Sequence, residues 1–182
     1  MDEANDDGEV TVPTALVLDL VDECRHLGAV AAPLIRMTRH LDVERPGERC
    51  SIDLLNDASD WIERELGMTS VRLAGRQVGH RFFAAMRTLG LPEAPPTLQL
   101  MRTLENASRK IVSDPQDLGW ELLRHDHQSA VMRNTQDTNC VLSEGVLLSL
   151  MDHTPARRVH VRQVNCARRG DEHCDFEITW NE

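Results

Sequence analysis

Three cysteines in the last third of the chain, Cys140, Cys166 and Cys174, carry chemistry that folding alone does not require. Zinc is held by thiolates and imidazoles, usually four in a tetrahedron, and ligands can come from element ends that converge. Cys140 opens an apolar helical stretch, Cys166 closes one strand-like segment, and Cys174 opens the next after the turn Gly170-Asp171. A hairpin through Gly170 brings Cys166 and Cys174 side by side. Cys140 joins them if its helix packs across that end of the sheet. The same thiols also fit as small buried side chains filling core volume, because free cysteine is among the most buried residue types. Spacing alone leaves both readings open.

Little else in the sequence suggests reactivity. There is no GxSxG elbow, no phosphate-cradling glycine loop and no HExxH helix, so the expectation is a protein without catalytic residues. The cluster His125-Asp126-His127 falls where a hairpin tip is expected, a usual place for polar residues. His80 and His125 are the histidines nearest to a possible ligand pocket, although a lone histidine is more often structural.

The elements that must position these residues follow from periodicity. Helical spacing begins at Thr14 with Leu16, Leu20, Val21 and Cys24, breaks near Gly28, and resumes through Ile35 and Met37 to Leu41. A turn over residues 42–49 contains Pro46-Gly47, and Ser51 is placed to cap a helix that runs to Leu66 and stops at Gly67. A longer helix over residues 69–89 carries Val71, Gly75, Val78, Phe82, Ala85 and Leu89. Gly75 and Gly79 lie one turn apart within it, and a glycine inside a helix costs about 1 kcal/mol, so another backbone or a ligand is expected to approach closely there. The connector of residues 90–96 precedes a helix with Leu98, Met101, Leu104 and Ile111, which ends at Ser113-Asp114-Pro115. Two short strands follow, over residues 119–126 and 128–134, then the helix of Cys140, then strands over residues 157–167 and 173–180. In the last of these Phe176, Ile178 and Trp180 alternate with Asp175, Glu177 and Thr179, giving one buried and one wet face. The fold class is α+β, an antiparallel sheet covered by helices, with an N-terminal helical extension.

Composition narrows the partners. A net charge of −10 on 182 residues argues against nucleic acid, whose binding rests on basic side chains that release counterions. No apolar run approaches the roughly 20 residues that cross a bilayer, so no membrane partner is expected. Five cysteines make an odd set for disulfides, which fits free thiols in a reducing cytoplasm. Residues 1–12 hold five acidic side chains with almost nothing apolar, the composition of a solvated tail.

The segments Cys140-Val-Leu-Ser-Glu-Gly145, Val159-His160-Val161 and Cys166 through Gly170-Asp171 to Cys174-Asp175-Phe176, with Val71-Arg-Leu-Ala-Gly75 upstream, resemble the 4-vinyl reductase domain. That resemblance, over about residues 70–180, implies a small-molecule-binding module of the kind found in bacterial sensors of aromatic compounds. It divides the chain into a tail (1–12), a helical dimerisation region (13–68) and a ligand-binding domain (69–182). It further implies a zinc ion on Cys140, Cys166 and Cys174. Zinc-binding relatives add a glutamate three residues before the middle cysteine, and this chain has Gln163 there, a poor ligand, so water, His173 or His160 would complete the set. The implied pocket lies between helices and sheet and takes a small hydrophobic or aromatic ligand among Phe82, Phe83, Met86, Leu98, Met101 and Trp120. The expected function is a non-enzymatic sensor, paired as a homodimer, that signals to a separate protein partner. The rivals are an interaction scaffold with a structural metal and an accessory role in tetrapyrrole vinyl reduction.

Overall fold

The computed structural model describes residues 8–41 and 47–181. Most of the acidic tail and of the turn at Pro46 lie outside the described residues. The tail ends earlier than its composition suggests: Thr11–Pro13 is a strand, β1, with Val12 buried, and it pairs antiparallel with β2, Arg49–Ser51. Sequence patterning missed this ribbon because three-residue strands carry no measurable alternation.

Between these strands lie α1, Thr14–Cys24, and α2, Ala32–Thr38, separated by a 3₁₀ segment in which Gly28 takes a positive φ of 57°. α3, Ile52–Leu66, starts where expected, with the Ser51 hydroxyl accepting from the Asp53 backbone N–H at 3.2 Å. α4, Met68–Thr88, and α5, Thr97–Ile111, follow. Leu16, Val17, Leu20 and Val21 on α1 are buried, and α1 packs against α3 and α4. This face of α1 is used within the chain.

The four-stranded sheet is antiparallel throughout: β3, Trp120–His125; β4, Ser129–Asn134; β5, Arg157–Asn165; and β6, Cys174–Asn181, in spatial order β3-β4-β6-β5. The last strand thus lies inside the sheet. Its Phe176 and Ile178 are fully buried beside Ala130 and Met132 of β4. The wet face of β6 is not wholly wet, however. Asp175 is 4% exposed and accepts from Arg133 at 2.7 and 3.0 Å and from Asn165 at 2.8 Å. Those bonds, the Arg133 pair first, hold its carboxyl below the usual carboxylate range. Alternation alone reads a charged residue as exposed, and a paired, hydrogen-bonded one is the exception.

α6, Cys140–Met151, is apolar on nearly every side and lies between α4 and the sheet. It meets α4 backbone to backbone. A Cβ on Gly75 would lie 2.3 Å from the Leu142 carbonyl oxygen, one on Gly145 would lie 2.2 Å from that of Arg72, and one on Gly79 would lie 2.6 Å from the Ser149 Cβ. The close approach expected at Gly75 and Gly79 is thus made by another helix. Residue numbers rise together along the contact, so α4 and α6 run parallel.

A methyl group at this seam cannot be accommodated by rotating a side chain, because the obstacle is backbone. Gly75→Ala should gain about 1 kcal/mol of helix propensity and lose roughly 3 kcal/mol to overpacking, lowering the melting temperature by about 4–8 °C. Thermal denaturation followed by circular dichroism checks this, and a rise in melting temperature would show that the helices separate freely.

Candidate functional site

Two features converge on the start of α6. Asn139 caps the helix, its side-chain oxygen accepting from the Val141 and Leu142 backbone N–H groups at 2.9 and 3.1 Å. Its amide nitrogen donates to Asp60 at 2.8 Å and Glu63 at 2.9 Å on α3. Arg168, in the turn between β5 and β6, reaches the same two carboxylates at 2.8 and 2.9 Å. Helix α3, the head of α6 and the hairpin turn are thereby tied together by charge-assisted hydrogen bonds.

Beneath this knot the three cysteines meet. Their sulfur atoms lie within 4.8 Å of one another, with Cys140 and Cys166 at 3.6 Å, and all three residues are buried. The Gly170-Asp171 turn shapes the site: Gly170 has a φ of 99°, and Asp171 accepts from the Cys166 backbone N–H at 2.7 Å. The Ala167 N–H points at the Cys174 sulfur at 3.4 Å. Cys140 stands in the first turn of α6, where orphan N–H groups favour a negative charge. Hydrogen bonding from Cys174 lowers the Cys140 thiol to about 5, with the Gln163 amide, Cys166 and Arg168 adding to the effect, while the same bond pushes Cys174 upward. The hydrogen bonds from Cys174 and Cys166 to Cys140 thus favour one thiolate shared by the cluster.

A cavity lies one turn further along α6. Its walls are Leu142, Ser143 and Val146 of α6, Val78 and Phe82 of α4, Leu16 of α1, Ile52 and Leu55 of α3, Val12 of β1, Val112, Trp120 of β3, Asn134 at the end of β4, and Gln136 and Thr138 beyond it. It measures about 40 Å³, room for about three water molecules. Both the region assigned to dimerisation and the region assigned to ligand binding contribute walls. Of the six expected lining residues, Phe82 and Trp120 line it. Phe83 instead stacks on His153, centroids 3.7 Å apart, Met86 and Met101 are fully packed, and Leu98 is half-exposed. The sequence reading missed the polar wall of Asn134, Gln136, Thr138 and Ser143, whose residue types look like a solvated loop. Asn134, Gln136 and Ser143 are nevertheless buried.

No histidine lines the cavity. His80 and His153 face each other at 3.3 Å on the outside of α4 and α6, and His125 tilts against Trp180, centroids 5.8 Å apart.

No family model matches this chain, and no curated protein does. Solved structures do. An H-NOX protein from S. oneidensis in the Fe(II)NO ligation state is 14% identical, covers 94% of this chain and 100% of its own, and has a TM-score of 0.66. A point mutant of T. Tengcongensis H-NOX is 12% identical over 93% of this chain and 97% of its own, with a TM-score of 0.63. A structure from work on the function of heme distortion in the H-NOX family is 12% identical over 93% of this chain and 95% of its own, also at 0.63. The protein thus has the H-NOX fold.

This corrects two expectations. The resemblance to the 4-vinyl reductase domain does not hold, because the structures that match are H-NOX proteins and the match includes the helices before residue 69. Part of the pattern that suggested it is a tight αL turn at Gly170 with Cys166 and Cys174 buried on either side. The expected zinc falls with it. The matching structures are named for Fe(II) and heme, and the cluster offers three sulfurs beside the neutral amide of Gln163, with no fourth histidine, cysteine or carboxylate in the group.

The heme named for such a structure does not fit the cavity seen here either. Among the lining residues there is no imidazole, thiol or thioether to reach an iron, and no arginine or lysine to meet a carboxylate. Its volume is also well below the roughly 300–1,000 Å³ of cofactor-sized pockets.

The shared thiolate has a measurable signature. In chelator-treated protein the ultraviolet thiolate absorbance should rise with a midpoint near pH 5 and be lost in Cys140→Ala. Cys174→Ala should shift the midpoint upward, toward the ordinary 9.0. Because the folded-state value is depressed, the thiolate stabilises the fold above the ordinary thiol value, and that stability declines as pH falls from 9 through 5. A midpoint near 9 in the native protein would show that the sulfurs do not share a proton.

Proposed function

We propose that the protein is a non-enzymatic sensor domain that holds a small ligand in the cavity between its N-terminal helices and the α4–α6 pair and reports occupancy to a separate protein. The observation that carries this reading is the position of the cavity. Its walls come from β1, α1 and α3 on one side and from α4, α6 and the sheet on the other. A ligand there shifts an equilibrium between two packings of these layers to the extent that it binds one of them better. The seam at Gly75 and Gly145 keeps α4 and α6 together as a unit, so the shift appears in the N-terminal layer.

The H-NOX fold agrees with this use, since the S. oneidensis protein of that fold is solved in named ligation states of its iron. Fold likeness at this identity does not carry chemistry with it, so the ligand is argued from this chain's own residues. No helix is long and apolar enough to cross a membrane among the described residues.

Thermal shift against neutral molecules of three to six heavy atoms tests the reading. A ligand at 100 times its dissociation constant adds about 2.7 kcal/mol, or roughly 5–10 °C for a chain of this size. Val146→Phe should place a ring in the cavity and abolish the shift. The same shift in the variant, or none from any compound with the native chain, would remove the cavity as the ligand site.

A further inference from the structure

We infer that the cavity is selective for a small uncharged molecule with an apolar body and one hydrogen-bond acceptor, in place of heme; this rests on the sensor reading and specifies its ligand. Three of the four polar wall residues, Asn134, Thr138 and Ser143, bond to one another, and the fourth, Gln136, donates from its amide nitrogen to the Leu118 carbonyl at 3.2 Å. The Asn134 amide nitrogen donates to the Thr138 hydroxyl at 2.7 Å and to the Ser143 hydroxyl at 3.3 Å. The two hydroxyl oxygens are 3.1 Å apart, so one donates to the other. The Asn134 side-chain oxygen is already occupied by the Gln136 backbone N–H at 3.1 Å.

Counting protons gives the selectivity. The bonded trio of Asn134, Thr138 and Ser143 holds two amide protons and two hydroxyl protons. Both amide protons and one hydroxyl proton have acceptors, and the second hydroxyl proton has none among the described residues. A buried donor without an acceptor is costly, so the wall favours a ligand that brings one. The remainder of the cavity, including Phe82, Trp120, Leu142 and Val146, is apolar. No lining side chain can carry a charge to pair with an ion, and an unpaired buried charge is strongly disfavoured. The volume of about 40 Å³ sets the size at about four heavy atoms.

Three molecules of equal heavy-atom count separate the possibilities: propanone, an acceptor; 2-methylpropene, which has none; and acetate, which is charged. Methyl resonances of Val78, Leu142 and Val146 in the full chain report binding. Propanone and 2-methylpropene should both saturate these shifts, propanone at the lower concentration, and acetate should not. Asn134→Asp then reverses the trio, because both hydroxyls turn to donate to the carboxylate and neither hydroxyl proton is left for a ligand. The variant should weaken propanone by about fivefold or more, the worth of one hydrogen bond, and leave 2-methylpropene within about twofold.

Equal responses of propanone and 2-methylpropene to Asn134→Asp would overturn the acceptor selectivity and leave the sensor reading standing. No response to either molecule in the native chain would overturn both. If the variant does not fold, the native chain still decides: saturable acetate binding, or a one-to-one hemin complex whose Soret band propanone displaces, would overturn the inference.

Discussion

The contact on which the structure depends is the backbone seam between α4 and α6. Where Gly75 faces Leu142 and Gly145 faces Arg72, neither helix has room for a single methyl group. Such an approach forfeits the side-chain burial that usually binds helices together and costs helix propensity at each glycine. In return it fixes the register of two long helices, because sliding either by one residue would drive a Cβ into a carbonyl. Everything else is placed relative to that register. The N-terminal helices lean on the outer side of α4 and the sheet covers α6, so the distance between those layers is set where the glycines touch.

That constraint also accounts for the cavity. Close contact at Gly75 and Gly79 continues along the same two helices into Val78, Phe82, Leu142 and Val146, whose bulk cannot interlock as closely. Interiors normally fill such gaps to crystal-like density. Here the filling stops short, and a polar wall is buried beside the gap. A core built only for stability would favour apolar side chains at Asn134 and Ser143, since each buried polar group must be matched by a partner to break even. At the head of α6 the same economy of partners appears in ionic form. Asn139, Arg168, Asp60 and Glu63 satisfy one another, and the Cys140 sulfur sits below them at the helix N-terminus. The Arg168 and Asp60 side chains are partly exposed at the surface of this knot, so its worth lies more in geometry than in Coulomb energy.

Much of this was legible in the sequence. The Ser51 cap, the stop at Gly67, the glycines of α4 and the two hairpins each follow from local chemistry, and each stands within a residue or two of its expected place. The convergence of Cys140, Cys166 and Cys174 followed from the hairpin plus one packing assumption, and that assumption holds. What the sequence hid was non-local. The β1–β2 ribbon joins residues 11 and 51, the cavity takes walls from residue 12 to residue 146, and the burial of Asp175 depends on Arg133 from the neighbouring strand. Polar residues between a strand and a helix read as loop because their burial is decided by elements far away in the chain. The family motif misled for a related reason: Gly170, Asp171, Cys166 and Cys174 together form one local turn, and local geometry does not identify a fold.

The fold of this chain and the chemistry of its cavity are therefore set by different residues. Solved proteins of the same fold are named for iron and its ligands, and one fold can frame different sites, because register and layer spacing are held by the seam while the cavity is lined by a different set of side chains. Val78, Phe82, Ser143 and Val146 can change in size and polarity without disturbing Gly75 or Gly145. A scaffold whose rigidity lies in backbone contact leaves its pocket free to vary, and what the pocket binds must then be read from the atoms that face it. In this chain those atoms belong to apolar side chains, side-chain amides and hydroxyls, which do not make a coordination sphere for iron.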